Sequence, residues 1–495
     1  MQRKACSRRQ FIKSTSVGSL GLALTSSLFT GCSYHAGKPN NILFIAVDDL
    51  RPELGCYGNS QIKSPNIDRL ASQGTKFINA YCNIPVCGAS RASLLTSVRP
   101  SRNRFVNYNT WADKDLPDHL SLPRYLKNNG YYTVSLGKVY HHREDDLNGW
   151  SEFPWRPSGD WLGWQAYITK ESEELIQSNP RPDEPNRIAG PAWEIADCSD
   201  SDYPDGKIAD KAIEYLNLLH RESQPFFLAV GFLKPHLPFN APKKYWDLYQ
   251  HDAIPLAPNP YPPANVPKSA LHNSGELRNG YINVPDSNPL PDDYAQWLVH
   301  GYYACVSYTD AQIGRLLAEL ERLGLSDNTT VILWGDHGWN LGEHTLWCKH
   351  CNFKTSLRAP LIIKSPGINH NQTSAGLVEF VDIYPTVAAL SGLPVPAHCE
   401  GTSLVPLIES PPSKWKSALF SRWKDGETIR THRYAYTEWR RSDDSDIYAR
   451  MLYDLQDDPA ENINIADMPE NLDLVNKLSS MLQNGWQPVR NALVK

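Results

Sequence analysis

The sequence predicts an α/β protein: a large, mostly parallel sheet sandwiched by helices, followed by a small antiparallel sheet with one helix. Three observations carry that reading. Short apolar runs recur along the chain and are continuous rather than alternating, the pattern of strands covered on both faces. A long amphipathic segment precedes the last of them, and beyond residue 410 the pattern changes to short strand-like stretches and a turn.

The first run, Asn41–Val47, ends in Asp48-Asp49. Tyr131–Leu136 ends in Gly137-Lys138, with His141 and His142 just beyond. Phe226–Val230 leads into Lys234-Pro235-His236, and Thr329–Trp334 ends in Gly335-Asp336-His337. Between the last two lies the clearest helix, with Leu298, Tyr302, Cys305, Ile313, Leu316 and Leu320 at mostly three- and four-residue spacing and Gly324 as its stop. Tyr434–Trp439 and the turn near Leu452 suggest the small sheet, with a terminal helix near Leu472–Asn484 on it. The expected organisation is an export segment over residues 1–32, a catalytic domain over 38–410 and a small α+β subdomain over 411–495, with the Pro411-Pro412-Ser413 stretch marking the boundary.

The length of 495 residues allows two to four units at roughly 100–200 residues each, which large α/β enzymes often fuse. With 41% hydrophobic and 21% charged residues, wholesale disorder is excluded. The 15 Trp, 24 Tyr and 38 Pro fit long ordered loops and ring platforms for sugars, especially over Trp150–Pro191 and Pro255–Pro291. Residues 1–36 carry Arg3, Lys4, Arg8, Arg9 and Lys13 and no acid. The remaining 44 basic against 54 acidic residues therefore leave a formal −10. Such a body is a poor nucleic-acid binder, and an anionic substrate would need its positive charge concentrated in one pocket.

Ser7-Arg8-Arg9-Gln10-Phe11-Ile12-Lys13 resembles a twin-arginine export signal, and Leu28-Phe29-Thr30-Gly31-Cys32 a loose lipobox in which Cys32 would be lipidated. Plain cleavage near that point is the alternative. The expected location is the periplasm or the bacterial surface, with the twin-arginine translocase as a partner. The apolar run between is too short to span a membrane. Cys348-Lys349-His350-Cys351 has metal-type spacing but no second pair to complete a zinc site, leaving a local disulfide or two free thiols.

Four strand ends thus bring acid, base and metal-type residues to the carboxyl edge, where open α/β sheets bind ligands. Any one could be a turn cap; four together point to a site. Adjacent Asp48 and Asp49 repel each other at a buried strand end unless a cation joins them. With Asp336 and His337 the donor set favours a hard divalent ion, Ca²⁺ ahead of Mg²⁺, over zinc. Cys87-Gly88-Ala89-Ser90-Arg91 looks like a turn opening into a helix, an anion site expected to acidify the thiol, with Arg91 adding fixed charge. The alternative is a buried Cys beside a surface Arg.

Cys87-Gly88-Ala89-Ser90-Arg91 resembles the C-x-(P/A)-x-R signature of type I sulfatases, in the alkaline phosphatase superfamily, with Ala89 where Pro is commoner. The motifs around Asp48, Lys138, His236 and Asp336, with His337 where many members carry Asn, resemble the iduronate-2-sulfatase branch. The resemblance implies an alkaline phosphatase-like fold and conversion of Cys87 to formylglycine by a formylglycine-generating or radical maturing enzyme. It further implies a Ca²⁺ held by Asp48, Asp49, Asp336, His337 and converted Cys87. Arg91 and Lys138 would hold nucleophile and sulfate, and His236, with Lys349, would sit by the ester oxygen as general acid. His141 would deprotonate the second geminal hydroxyl to expel sulfate. Trp339 and Lys349 would line the sugar pocket, the Lys pairing with a uronate carboxylate. The expected function is hydrolysis of sulfate esters on a uronate-containing saccharide. A sulfatase of another polysaccharide, such as an algal one, is the alternative. Less favoured are a phosphatase or phosphonate hydrolase of the superfamily and a non-catalytic carbohydrate-binding surface lipoprotein.

Overall fold

A computed structural model describes residues 40–157, 165–180, 189–368, 371–410, 414–441 and 446–493. The export-signal and lipobox expectations, the Pro411–Ser413 boundary and part of the Trp150–Pro191 loop lie outside them. Residues 38–495 form one compact unit.

Its centre is a seven-stranded sheet. The strands are β1 (Asn41–Val47), β2 (Thr75–Phe77), β3 (Tyr132–Gly137), β4 (Phe226–Phe232), β5 (Thr329–Gly335), β6 (Leu361–Lys364) and β7 (Gln372–Ser374), in the spatial order β7–β2–β6–β5–β1–β4–β3. The run β5–β1–β4–β3 is parallel throughout, whereas β6 lies antiparallel to both β5 and β2. The four runs expected from continuous hydrophobicity are these four parallel strands. Alternate residues explain why each run has no polar gap. Leu43, Ile45 and Val47 enter one core with Leu228 and Leu333, while Ile42, Phe44 and Ala46 enter a second core with Phe227 and Trp334. Both faces are therefore covered.

Register sets where each chain leaves the sheet. Val47 pairs with Gly335 and with Phe232, and Gly137 with Gly231, so the four chains emerge level with one another. Asp48, Asp336, Leu233 and Lys138 are the next residues, all on one edge. Close approach there requires glycine: a Cβ on Gly231 would lie 2.0 Å from the Lys138 carbonyl oxygen.

Helix α1 (Cys87–Thr96) packs in the second core, and α2 (Pro204–Leu219) in the first. The one-turn α3 spans Gly275–Arg278. The long α4 runs Asp292–Arg322 with two acids in its first turn and ends before Gly324, which adopts φ 66°. The small sheet is a four-stranded meander, β8 (Leu419–Trp423), β9 (Gly426–Arg430), β10 (Tyr434–Arg440) and β11 (Ile447–Asp454), antiparallel in that order. One face receives α5 (Leu472–Asn484) through Val475 and Leu478. The other packs Ala435, Trp439, Met451 and Tyr453 against Leu346 and Phe353.

All eight cysteines of the described residues are free. For Cys348 and Cys351, of the two alternatives left open, it is free thiols that are present.

Candidate active site

The floor of the site is laid by strand ends. At Asp49 the backbone turns left-handed (φ 59°), which breaks the alternation that would send neighbouring carboxylates to opposite faces. The Asp49 amide donates to Asp336 Oδ1 (3.0 Å), tying the ends of β1 and β5 together. Arg91, one turn into α1, is fully buried between them: Nη2 donates to Asp48 Oδ1 at 3.0 Å and Nε to Asp336 Oδ2 at 2.9 Å. Its remaining reach goes to the Lys138 and Val139 carbonyls, and the Lys138 ammonium pairs with Asp48. Arg91 is thus no surface residue but the strut that spaces two carboxylates.

These contacts divide the acids electrostatically. Burial would raise the Asp48 carboxyl, but Lys138 and Arg91 outweigh it and hold it well below the usual carboxylate range. Burial, aided by the charge of Asp48, pushes Asp49 well above that range even though Lys349 opposes it. His337 is equally constrained. Its Nδ1–H donates to the Gly338 carbonyl (2.9 Å), leaving the Nε2 lone pair 3.3 Å from Asp49 Oδ1 and 3.7 Å from Asp336 Oδ1. That Nε2 is buried without a hydrogen-bond partner. A lone pair aimed at carboxylates is repulsive by itself and favourable around a cation, with the Gly338 hydrogen bond fixing the tautomer as in metal-binding imidazoles. The donor set therefore fits a hard divalent cation. Donor atoms of Asp48, Asp49, Cys87 and His236 lie within 4.8 Å of one another, as do those of Cys87, Asp336 and His337.

Cys87 is the first residue of α1, behind extended Val86. The thiol is not acidified as the helix start led us to expect. Burial pushes Cys87 up to about 11, and neither Lys138 nor Lys349 offsets it. At 3% exposure, desolvation of a thiolate outweighs the helix dipole.

Above this floor opens a cavity of about 820 Å³ reached by Cys87, Lys138, His141, His236, Glu276 and Lys349. Lys349 Nζ lies 3.1 Å from both Asp49 oxygens and 2.6 Å from Glu276 Oε1, which hold it charged well above its usual range against its burial. His236 turns Nδ1 to the Leu237 carbonyl (2.5 Å) and Nε2 to Glu276 Oε1 (3.2 Å). Burial and Lys349 lower the pKa of His236, and the Glu276 contact opposes them. Also lining the cavity, His141 is depressed by burial and then by Lys138 well below the usual histidine range, so it is neutral near pH 7.

Every site residue expected from sequence belongs to this cluster, but Trp339 does so differently. It is 1% exposed, and the Lys349 ammonium sits 4.8 Å from the centre of its ring. Its indole face meets Lys349, where a desolvated cation gains from an aromatic ring. Two residues escaped the sequence reading. Glu276, from α3, carries no motif; the only signal was its place in the Pro255–Pro291 loop. Arg156 donates Nη2 to the carbonyls of Tyr140 (2.9 Å) and His141 (3.0 Å), holding the segment that carries Lys138 and His141.

Known proteins resemble this chain in sequence and in fold. Residues 40–393 match the family model described as Sulfatase, and residues 342–487 one described as N-sulphoglucosamine sulphohydrolase, C-terminal. Iduronate 2-sulfatase of Mus musculus is 33% identical, covering 92% of this chain and 96% of its own length, and that of Homo sapiens is 34% identical over 92% and 97%. In fold, the chain resembles a protein solved with its substrate D-glucosamine-2-N,6-O-disulfate (TM-score 0.71, 23% identity, 92% and 99% covered). It equally resembles a phosphonate monoester hydrolase from Silicibacter pomeroyi (TM-score 0.72, 23%, 91% and 96%). The architecture is alkaline phosphatase-like. Because the family model covers well over half of the chain, including Cys87 and all four residues of the metal-type floor, this protein belongs to the sulfatase family of sulfuric ester hydrolases.

Proposed function

We propose that this protein is an exported sulfatase that cleaves sulfate esters of a saccharide through a formylglycine hydrate made from Cys87. The observation that carries the reading is the position of Cys87: the first residue of a helix, among donor atoms of Asp48, Asp49, Asp336 and His337. A Ca²⁺ held by Asp48, Asp49, Asp336, His337 and converted Cys87 would draw charge from the sulfate oxygens and orient the nucleophile. Lys138 and Arg91 set the charge beside the nucleophile. His236, with Lys349 adjacent, gives a proton to the departing alcohol oxygen, which an alkoxide leaving group needs. His141, neutral by burial, takes the proton whose loss expels sulfate. A serine in place of Cys87 would lack the second hydroxyl required for that release.

The substrate reading is a sulfated uronate, nearest to iduronate 2-sulfate, supported by the two relatives of that name at 33% and 34% identity. A second reading is a neutral ring of another polysaccharide. One observation favours it: Lys349 is already shared by Asp49 and Glu276, so a substrate carboxylate would enter beside an existing one. The sequence signal at Ser7–Lys13 supports export by the twin-arginine route to the periplasm or, with Cys32 lipidated, to the cell surface. Maturation would fall to a formylglycine-generating or radical maturing enzyme. Peptide mass spectrometry of active protein should find Cys87 lighter by about 18 Da, the change from thiol to aldehyde. Fully active protein with an unmodified Cys87 would exclude the mechanism.

A further inference from the structure

Glu276 takes part in no step of that chemistry, yet it touches two groups assigned to the leaving-group side. Its Oε1 lies 2.6 Å from Lys349 Nζ and 3.2 Å from His236 Nε2. Its Oε2 is buried without a hydrogen-bond partner, with His350 Nδ1 at 3.9 Å. The carboxylate is fixed rather than draped. Leu277 is fully buried, the Trp347 amide donates to Ser274 Oγ (3.0 Å), and Arg278 Nη2 donates to the Ser287 carbonyl (2.8 Å). The Trp347 bond ties α3 to the strand that leads into Lys349, so acid and base keep one spacing.

Removing the Glu276 charge would redistribute both neighbours. Lys349 would keep its contact with Asp49, and His236 Nε2 would keep Asp49 Oδ2 at 3.7 Å. Both would then be drawn inward to the floor, away from the cavity where a departing alcohol must lie. We propose that Glu276 is a positioning residue that holds His236 and Lys349 outward, toward the ester oxygen, and so separates the proton-donating wall from the carboxylates below it. The inference rests on the assignment of His236 to the leaving group.

A positioning role predicts a loss confined to substrates whose alcohol needs a proton. In E276Q the kcat for a sulfated disaccharide should fall about 100-fold, the ordinary worth of general acid help, with KM and the kcat for an aryl sulfate each within about threefold. E276D, which keeps the charge but shortens the reach, should recover part of the loss, and it carries the comparison should E276Q not fold. H236A should show the same selectivity, and E276Q/H236A should be no worse than H236A alone. Equal losses on both substrates, or none, would overturn the proposal. If H236A is selective and E276Q is not, only the positioning role fails. If H236A itself lacks the selectivity, the leaving-group reading fails and this inference with it.

Discussion

Asp48, Asp336 and Lys138 reach the site from the ends of parallel strands of one sheet, whereas His236, Glu276 and Lys349 reach it from loops. The floor owes its geometry to backbone register: once Val47 pairs with Gly335 and Phe232, the next residues have no other place to go. The wall owes its geometry to side-chain charge, with Lys349 and His236 set by the carboxylates around them. A site assembled in these two ways should fail in two ways. Damage to the floor should stop every substrate, while damage to the wall should sort substrates by leaving group.

The largest effect tests the floor. Asp48→Ala removes one oxygen donor together with the ion pairs that it makes with buried Arg91 and Lys138, leaving Arg91 its Asp336 contact. Losing the metal's stabilisation of the sulfate charge is worth about 4 kcal/mol, so turnover of aryl and sugar sulfates should fall together by about 1,000-fold. Leaving buried charge without its partner should also cost about 3–5 kcal/mol of stability, seen as a lower melting temperature with bound metal lost by elemental analysis. Unchanged turnover in protein shown to be free of metal would dissolve the floor as a functional unit.

The wall is tested by Lys349→Ala. Aryl sulfate turnover should change little, since such esters leave without acid help, whereas turnover of a sulfated saccharide should fall by about 300-fold. Comparing a sulfated uronate with a sulfated neutral sugar then sharpens the reading. A much larger loss on the uronate assigns Lys349 to its carboxylate, while equal losses leave only the leaving-group role. Wild-type preference for the neutral sugar would remove the uronate reading and keep the sulfatase.

The same contrast explains what could be read from sequence. Continuous apolar runs ending in Asp48-Asp49, Lys138 and Asp336-His337 announce their strands, and parallel strands deliver their ends to one edge, so fold and floor were legible together. Glu276 was not legible, because a loop acid gains its meaning from Lys349, 73 residues away, and no local pattern encodes that distance. Cys87 was misjudged in its acidity because a helix start is visible in sequence and burial to 3% is not. Trp339 follows Asp336-His337 in sequence, but its ring direction depends on Lys349, a tertiary contact that no local pattern encodes.

The smallest predicted effect lies at His141, which separates the two regions in time. Burial and Lys138 depress it, so the folded protein holds fewer protons there than free histidine would near pH 6.5. As a base it is thus available down to acidities where an ordinary histidine is already charged, and the acid limb of kcat should fall below pH 6.5. Its proposed task comes after the alcohol has left, when sulfate is expelled. His141→Ala should therefore lower kcat by about 100-fold while kcat/KM, which reports steps through alcohol departure, stays within about threefold. Rapid mixing with an aryl sulfate should show one equivalent of phenol released per active site, followed by a slow steady rate. A variant that loses kcat and kcat/KM equally, with no burst, would move His141 from sulfate release to the first half of the reaction. The two-region picture would then need His141 beside His236 in a single proton-transfer step.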